Sequence, residues 1–407
     1  MKRSPGLKLT LLSVFAVFAL SGGGLATIAA WQTDLTVGDA TITSGDGWGK
    51  TANLVKFTQI SAVSYHAVAV DTNGDTWAWG WNKYGQLGDG TTTDRPTPVK
   101  VLGGHKFTKI LAGGTHMVAI DADGNTWAWG WNKYGQLGDG TTTDSTTPVQ
   151  VAGGHRFTQI SAGNYHTVAI DTDGNAWAWG GNQYGQLGDG TRTSKNTPVR
   201  VSGSHRFTEI AAGGLHAVAI DTDGNAWAWG WNNSGQLGDG THTNSPTPVQ
   251  VLGGHKFTQI SAGGWHTVAI DTGGDTWAWG NNGNGQLGDG TRTGSFTPIK
   301  VTGGHRFTQI SLGFKHVVAL DASGDTWAWG RNDSGQLGDG TNTDSPAPIK
   351  VTGGHRFTQI SAGSRNVVAL DASGDTWAWG DNRYGQLGDG TNTNSNIPVK
   401  VLAPTKP

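Results

Sequence analysis

A fifty-residue unit written seven times, four short apolar stretches in each copy, and stretches apolar on both faces together predict an all-β fold. Its architecture is seven four-stranded blades closed into a β-propeller. The period is plainest in Trp77 and Trp79, a pair that returns every fifty residues as far as Trp377 and Trp379, with Gln86-Leu87-Gly88 in step through Gln386-Leu387-Gly388. A fixed period of this size marks supersecondary units that bury their faces on one another.

Taken in order, the chain opens with Lys2, Arg3 and Lys8, then the apolar run Leu9 to Leu20, then small residues through Ala29 and Ala30. This is the order of an export signal, with cleavage expected near Ala29 or Ala30. The alternative is an uncleaved anchor, since no charge falls between Lys8 and Asp34. Residues 1–30 are therefore read as signal, 31–56 as a lead-in with a loop at Gly45 to Gly49, 57–402 as the propeller and 403–407 as a tail. A secreted or cell-surface monomer is expected, touching membrane only if the first segment is retained.

Composition narrows the partners. The 407 residues include 67 glycines and 20 tryptophans, 14% are charged, and the net charge is −2. Such a chain has no global field to attract phosphate backbones, which argues against nucleic acid. The absence of cysteine from the sequence excludes disulfides, thiolate metal sites and a cysteine nucleophile.

Within the first copy, Thr58 to Ala62, Tyr65 to Val70, Asp75 to Gly80 and Pro98 to Val101 read as strands separated by turn residues. Centring the hairpin on Asp71 to Gly74 sets Val68 opposite Trp77, His66 opposite Trp79 and Ala67 opposite Ala78. One face is then bulky and the other small, and the bulky face of one blade seats on the small face of the next. Both Trp series are expected between blades, so Trp227→Ala should cost roughly 3–5 kcal/mol. The long connection 81–97 would carry Pro98 to Val101 to the next blade, leaving Pro398 to Val401 to clasp the first.

No motif points to a catalytic centre or a cofactor. Gly85 to Gly90 lacks the Gly-Lys-Ser/Thr ending of a phosphate loop. Asp121 to Asn125 places its glycine fourth rather than sixth, so a hairpin turn is expected there instead of a calcium loop. His66, His116, His166, His216, His266 and His316 share one repeat position with Asn366. They are expected to be packed and hydrogen-bonded rather than metal-ligating, with the series His105 to His355 exposed or capping. Every candidate recurs about seven times, whereas catalysis needs a constellation singular in space, so no enzyme is expected.

The pattern His-x-Val-Ala-(Ile/Leu)-Asp, Gly-(Asp/Asn)-x-Trp-Ala-Trp-Gly-x-Asn, Gly-Gln-Leu-Gly-Asp-Gly-Thr and Pro-Val-x-Val resembles the RCC1 repeat (regulator of chromosome condensation) across residues 57–401. The resemblance implies a seven-bladed propeller. It also implies that a secreted bacterial-type member binds a protein, an inhibitor of β-lactamases being one such relative. Guanine nucleotide exchange is an alternative by family name only, and the uniform spacing leaves no room for the inserted wedge of the exchange factor.

The copies differ chiefly at one end of each hairpin. The position of Tyr65 reads Tyr, Thr, Tyr, Leu, Trp, Lys, Arg, and that of Trp81 reads Trp, Trp, Gly, Trp, Asn, Arg, Asp. These sites and the connection 81–97 are expected to share one face of the ring. The candidate partner-binding residues are Tyr65, Trp81, Tyr84, Trp131, Tyr134, Tyr165, Tyr184, Leu215, Trp231, Trp265, Lys315, Arg331, Arg365 and Arg383. Aromatics and arginines outside a core are what interface hot spots are made of. A protein partner is the first expectation, with carbohydrate stacking on Trp81, Trp131 and Trp231 as the alternative.

Overall fold

A computed structural model describes residues 34–37, 40–43 and 54–404. Two compact units are present, Met1–Ala52 and Asn53–Pro407. In the first, Asp34–Val37 pairs antiparallel with Ala40–Thr43. The export segment and the loop at 45–49 lie outside the described residues. Among the described residues there is no α-helix, and no helix long and apolar enough to cross a membrane.

The second unit is seven four-stranded antiparallel sheets. Blade one comprises Phe57–Val63, His66–Asp71, Thr76–Gly80 and Arg95–Lys100, hydrogen-bonded in that order, and the other six repeat it. First strands of neighbouring blades lie against one another around the axis, and fourth strands form the rim. Each sheet is therefore one contiguous repeat, which corrects the expected clasp. Ser395–Lys400 pairs with Thr376–Gly380 and completes blade seven, not blade one.

The ring closes instead through contacts of the kind found at other seams. Gln59 Nε2 donates to the Thr108 carbonyl at 2.8 Å, and the Ala112 amide donates to Ser61 Oγ at 3.1 Å. Across the last seam, Gln359 Nε2 donates to the Thr58 carbonyl at 2.9 Å and the Ala62 amide to Ser361 Oγ at 2.8 Å. The chain ends add the Val55 amide donating to the Pro404 carbonyl at 2.9 Å and an ion pair between Lys56 and Asp375.

The hairpin register differs by one residue from the sequence expectation. Ala67 faces Trp79, Val68 faces Ala78 and Ala69 faces Trp77. The Asp71 amide donates to the Asp75 carbonyl at 2.8 Å, so the loop has three residues and ends on Gly74 at φ 75°. A three-residue loop of this kind takes a glycine in the left-handed region. A one-residue shift exchanges faces, so neither face is uniformly bulky. The Val68, Val70, Ala78, Leu87 and Val101 side of blade one packs on Phe107, Ile110, Met117, Ala119 and Trp129 of blade two.

The two tryptophan series also separate. Trp79, Trp129 and their equivalents are fully buried, each burying about 150–250 Å², whereas Trp77, Trp127 and Trp227 are only half-buried. Trp227 lies under His205, ring centroids 3.8 Å apart, and its Nε1 donates to Asp221 Oδ2 at 2.8 Å. The full core cost therefore belongs to Trp229, a correction to the expectation for Trp227. The series His105 to His355 covers those half-buried rings in blades two to seven, from Trp127 to Trp377.

Candidate functional site

The Gly-Gln-Leu-Gly motif is a seat for the next blade's tryptophan. Gln86 Oε1 accepts from the Tyr84 amide at 2.9 Å, and its carbonyl accepts from Trp129 Nε1 at 3.0 Å. Leu87 packs in the same core cluster as Trp129. A Cβ on Gly88 would lie 2.8 Å from Trp129 Nε1, so only glycine admits the ring. Across the last seam, Trp79 Nε1 donates to the Gln386 carbonyl at 3.1 Å.

The aspartate turns are likewise occupied. Asp121 Oδ1 accepts from the Asp123 and Asn125 amides at 2.9 and 2.8 Å, and Oδ2 accepts from Trp127 Nε1 at 2.8 Å. Burial works to raise this carboxyl's pKa, but the Trp127 and Asn125 hydrogen bonds outweigh it and hold the value below the ordinary one. Its oxygens serve the hairpin.

The histidines at the His66 position are fully buried at the blade seams. His116 Nε2 lies 2.9 Å from Thr167 Oγ1 of the next blade, and His66 Nε2 lies 3.2 Å from Met117 Sδ. His216 Nε2 likewise lies 3.2 Å from Thr267 Oγ1, whereas both ring nitrogens of His166, His266 and His316 are without a hydrogen-bond partner among the described residues, so the series is packed throughout as expected but hydrogen-bonded only in part. Burial lowers His66 and His166 to about 4 and His116, His216, His266 and His316 to about 3. These rings are neutral. Among the described residues no three His, Cys, Asp or Glu side chains gather closely enough to hold a metal ion.

The variable residues do converge. Every blade's hairpin and long connection meet at one end, where the Trp81 amide donates to the Tyr65 carbonyl at 2.9 Å. Asn82 folds the long connection down: its Nδ2 donates to Asp89 Oδ1 and the Thr91 and Thr93 carbonyls at 3.1 Å each, and its Oδ1 accepts from the Leu87 amide at 2.9 Å. The side chains at positions 65, 81 and 84 stand above this scaffold.

They form a nearly continuous belt. Tyr65 meets Trp81 and Tyr384 at centroid distances of 6.2 and 5.4 Å, Trp81 meets Tyr84 at 5.5 Å, and Tyr84 meets Trp131 at 5.4 Å. Trp131 and Tyr134 both touch Tyr165. Tyr134, Tyr165, Tyr184 and Leu215 then wall a cavity of about 160 Å³. Beyond it Tyr184 reaches Trp231 at 6.3 Å, Trp231 reaches Trp265 at 5.8 Å, and Trp265 reaches Phe314 at 5.0 Å. Such geometry adds roughly 0.5–1.5 kcal/mol per pair beyond burial.

The last sector is cationic. Lys315 Nζ stands 5.1 Å over the Trp265 ring, and Arg383 stands 5.8 Å over Tyr65 while pairing with Asp381. Arg331 pairs with Asp333, and Arg365 approaches the same carboxylate at 3.7 Å. All fourteen candidates thus lie on one face. Four participants were absent from that expectation: Tyr384, Phe314, Asp333 and Asp381. Tyr384 repeats the position of Tyr84, so the rule that selected Tyr84 reaches it too. Phe314 stands one residue before the position compared between copies, Asp381 stands at the position of Trp81 itself, and Asp333 lies two residues beyond that position.

The profile for the RCC1-like domain matches residues 203–406, and two profiles for the regulator of chromosome condensation (RCC1) repeat match segments between residues 57 and 220. No curated protein matches. Among solved structures, human WBSCR16 superimposes with a TM-score of 0.73 at 22% identity over 81% of this chain and 94% of its own. Yeast RCC1 (Prp20) bound to Kap60 gives 0.72 at 22% over 87% and 86%. Prp20p from Saccharomyces cerevisiae, described with its binding to Gsp1p and histones, gives 0.72 at 22% over 86% and 87%. These identities speak for the fold, and the profiles speak for the family: the chain belongs to the RCC1-repeat family of β-propellers.

Proposed function

We propose that the protein is an exported, non-catalytic scaffold that binds a protein partner through the belt face, an extracellular enzyme inhibited by occlusion being the form this takes. The observation that carries the reading is the belt itself, aromatic and cationic side chains joined around one end of all seven blades while the packing beneath them repeats. Hot spots favour Trp, Tyr and Arg in such settings. A solved relative, yeast RCC1, is bound to the protein Kap60. The basic and apolar N-terminal run supports export.

The rings argue for protein rather than sugar. Trp81, Trp131 and Trp231 each have an aromatic neighbour within 6.3 Å and none is a lone platform. The test is affinity capture from the producing cell's medium with the mature chain, beside a variant carrying Tyr134→Ala and Tyr165→Ala. Both rings are exposed, so the variant should fold. One secreted protein held at nanomolar affinity by the parent and lost by the variant is the expected result. Equal capture by both chains, or millimolar binding to glycans alone, would remove the reading.

A further inference from the structure

The repeat's symmetry is broken most sharply where blades five, six, seven and one meet. There Tyr65, Trp265, Phe314, Lys315, Arg331 and Arg365 wall a cavity of about 240 Å³ opening on the belt face. That is smaller than the roughly 300–1,000 Å³ of a small-molecule site and suits one inserted side chain with its neighbour. Three cations face it, and Asp333 is the carboxylate that Arg331 and Arg365 share. Lys315 makes no salt bridge among the described residues. Its pKa is lowered, first by burial and then by the two guanidinium groups. Because the whole chain carries net charge −2, this excess of positive charge is local. The other walls are three aromatic rings and Ser364.

We propose that this cavity is the anchor site for a carboxylate side chain of the protein partner, an aspartate or glutamate beside an apolar residue. Lys315, Arg331 and Arg365 hold the carboxylate, and Trp265, Phe314 and Tyr65 cover the apolar flank. A charge-assisted contact to a guanidinium is stronger than a neutral one, and it gains further where water is excluded. The inference rests on the reading of this face as a protein-binding surface and adds the chemistry of its central contact.

The test uses the full chain and a set of capped peptides, each with one glutamate between apolar residues and each matched by its glutamine version. Titration calorimetry should show binding to glutamate peptides, at least tenfold weaker binding to the glutamine versions, and weakening with salt. Lys315→Met, which breaks no ion pair, and Arg365→Gln should each reduce glutamate-peptide binding tenfold or more at an unchanged melting midpoint. Equal binding of both peptide sets, or variants that bind as the parent does, would overturn the proposal. Binding of glucuronate oligosaccharides without peptides would overturn it as well.

The natural partner separates this proposal from the one beneath it. If Tyr134→Ala with Tyr165→Ala releases the captured protein while Lys315→Met does not, the belt stands and the anchor falls. If neither releases it, both fall.

Discussion

Trp229 and Trp227 are two residues apart in one strand, yet their substitutions should differ severalfold. Trp229 is fully enclosed and its Nε1 donates to the Gln186 carbonyl at 3.1 Å. Replacing it with alanine should cost about 3–5 kcal/mol in urea denaturation. Trp227→Ala, half-buried against His205, should cost less than half of that. The histidines give a second prediction. Their folded pKa values lie at about 3–4 against about 6.5 unfolded, so below pH 6.5 the unfolded chain binds more protons than the folded one. Stability is full above that pH and falls as the pH drops toward 4, by up to about 1.4 kcal/mol per pH unit for each ring. Denaturation midpoints from pH 7.5 to 4.5 check the sign. His216→Asn, the residue blade seven already uses, should flatten the slope. At this scale the sequence was read well for chemistry and poorly for depth: alternation marks both Trp series alike, and only the neighbouring blade distinguishes them. Half-burial and edge contacts make each belt tryptophan worth about 1 kcal/mol.

At the scale of the element, the hairpin and the long connection behave differently. The hairpin's existence was legible in its apolar stretches and its Asp-x-x-Gly turn, but its register was not, because a three-residue and a four-residue loop fit the same letters. The signal that decides is the glycine placed fourth, which belongs in the left-handed region before Asp75 resumes the strand. Strand four was legible as an apolar stretch, whereas its partner was not. A connection of this length permits both a return to the same sheet and a crossing to the next, and Asn82 pulls it back. That role gives the third prediction. In blade four, Asn232 Nδ2 donates to Asp239 Oδ1 and the Thr241 carbonyl at 3.1 Å. Asn232→Asp would set a buried carboxylate against acceptors and should cost on the order of 3 kcal/mol. An unchanged denaturation midpoint would mean that the connection is held by something else.

Across the whole molecule, the seam between blades seven and one carries the Trp bond that every seam has, Trp79 on the Gln386 carbonyl, and a Gln bond found at several others, Gln359 on the Thr58 carbonyl. A clasp would make the native termini special. Their near-equivalence to the internal connections predicts that a circular permutant joined across 55 and 404 and opened between Gly253 and Gly254 keeps its thermal midpoint to within about 4 °C. A larger fall would show that closure depends on where the chain ends. The count of seven was legible from the period alone, and the diversified face from comparing copies. Which side chains meet across seams was not, since Trp265 and Phe314 become neighbours only when successive blades stack, and Tyr65 and Tyr384 only when the ring shuts.

The coincidence of sheet and repeat bears on heredity as well as on folding. Because each fifty-codon copy encodes one whole sheet, replacing one copy by another in frame leaves every Trp and Gln facing its proper socket. The lineage is thereby free to shuffle its recognition loops as cassettes, provided that it keeps seven.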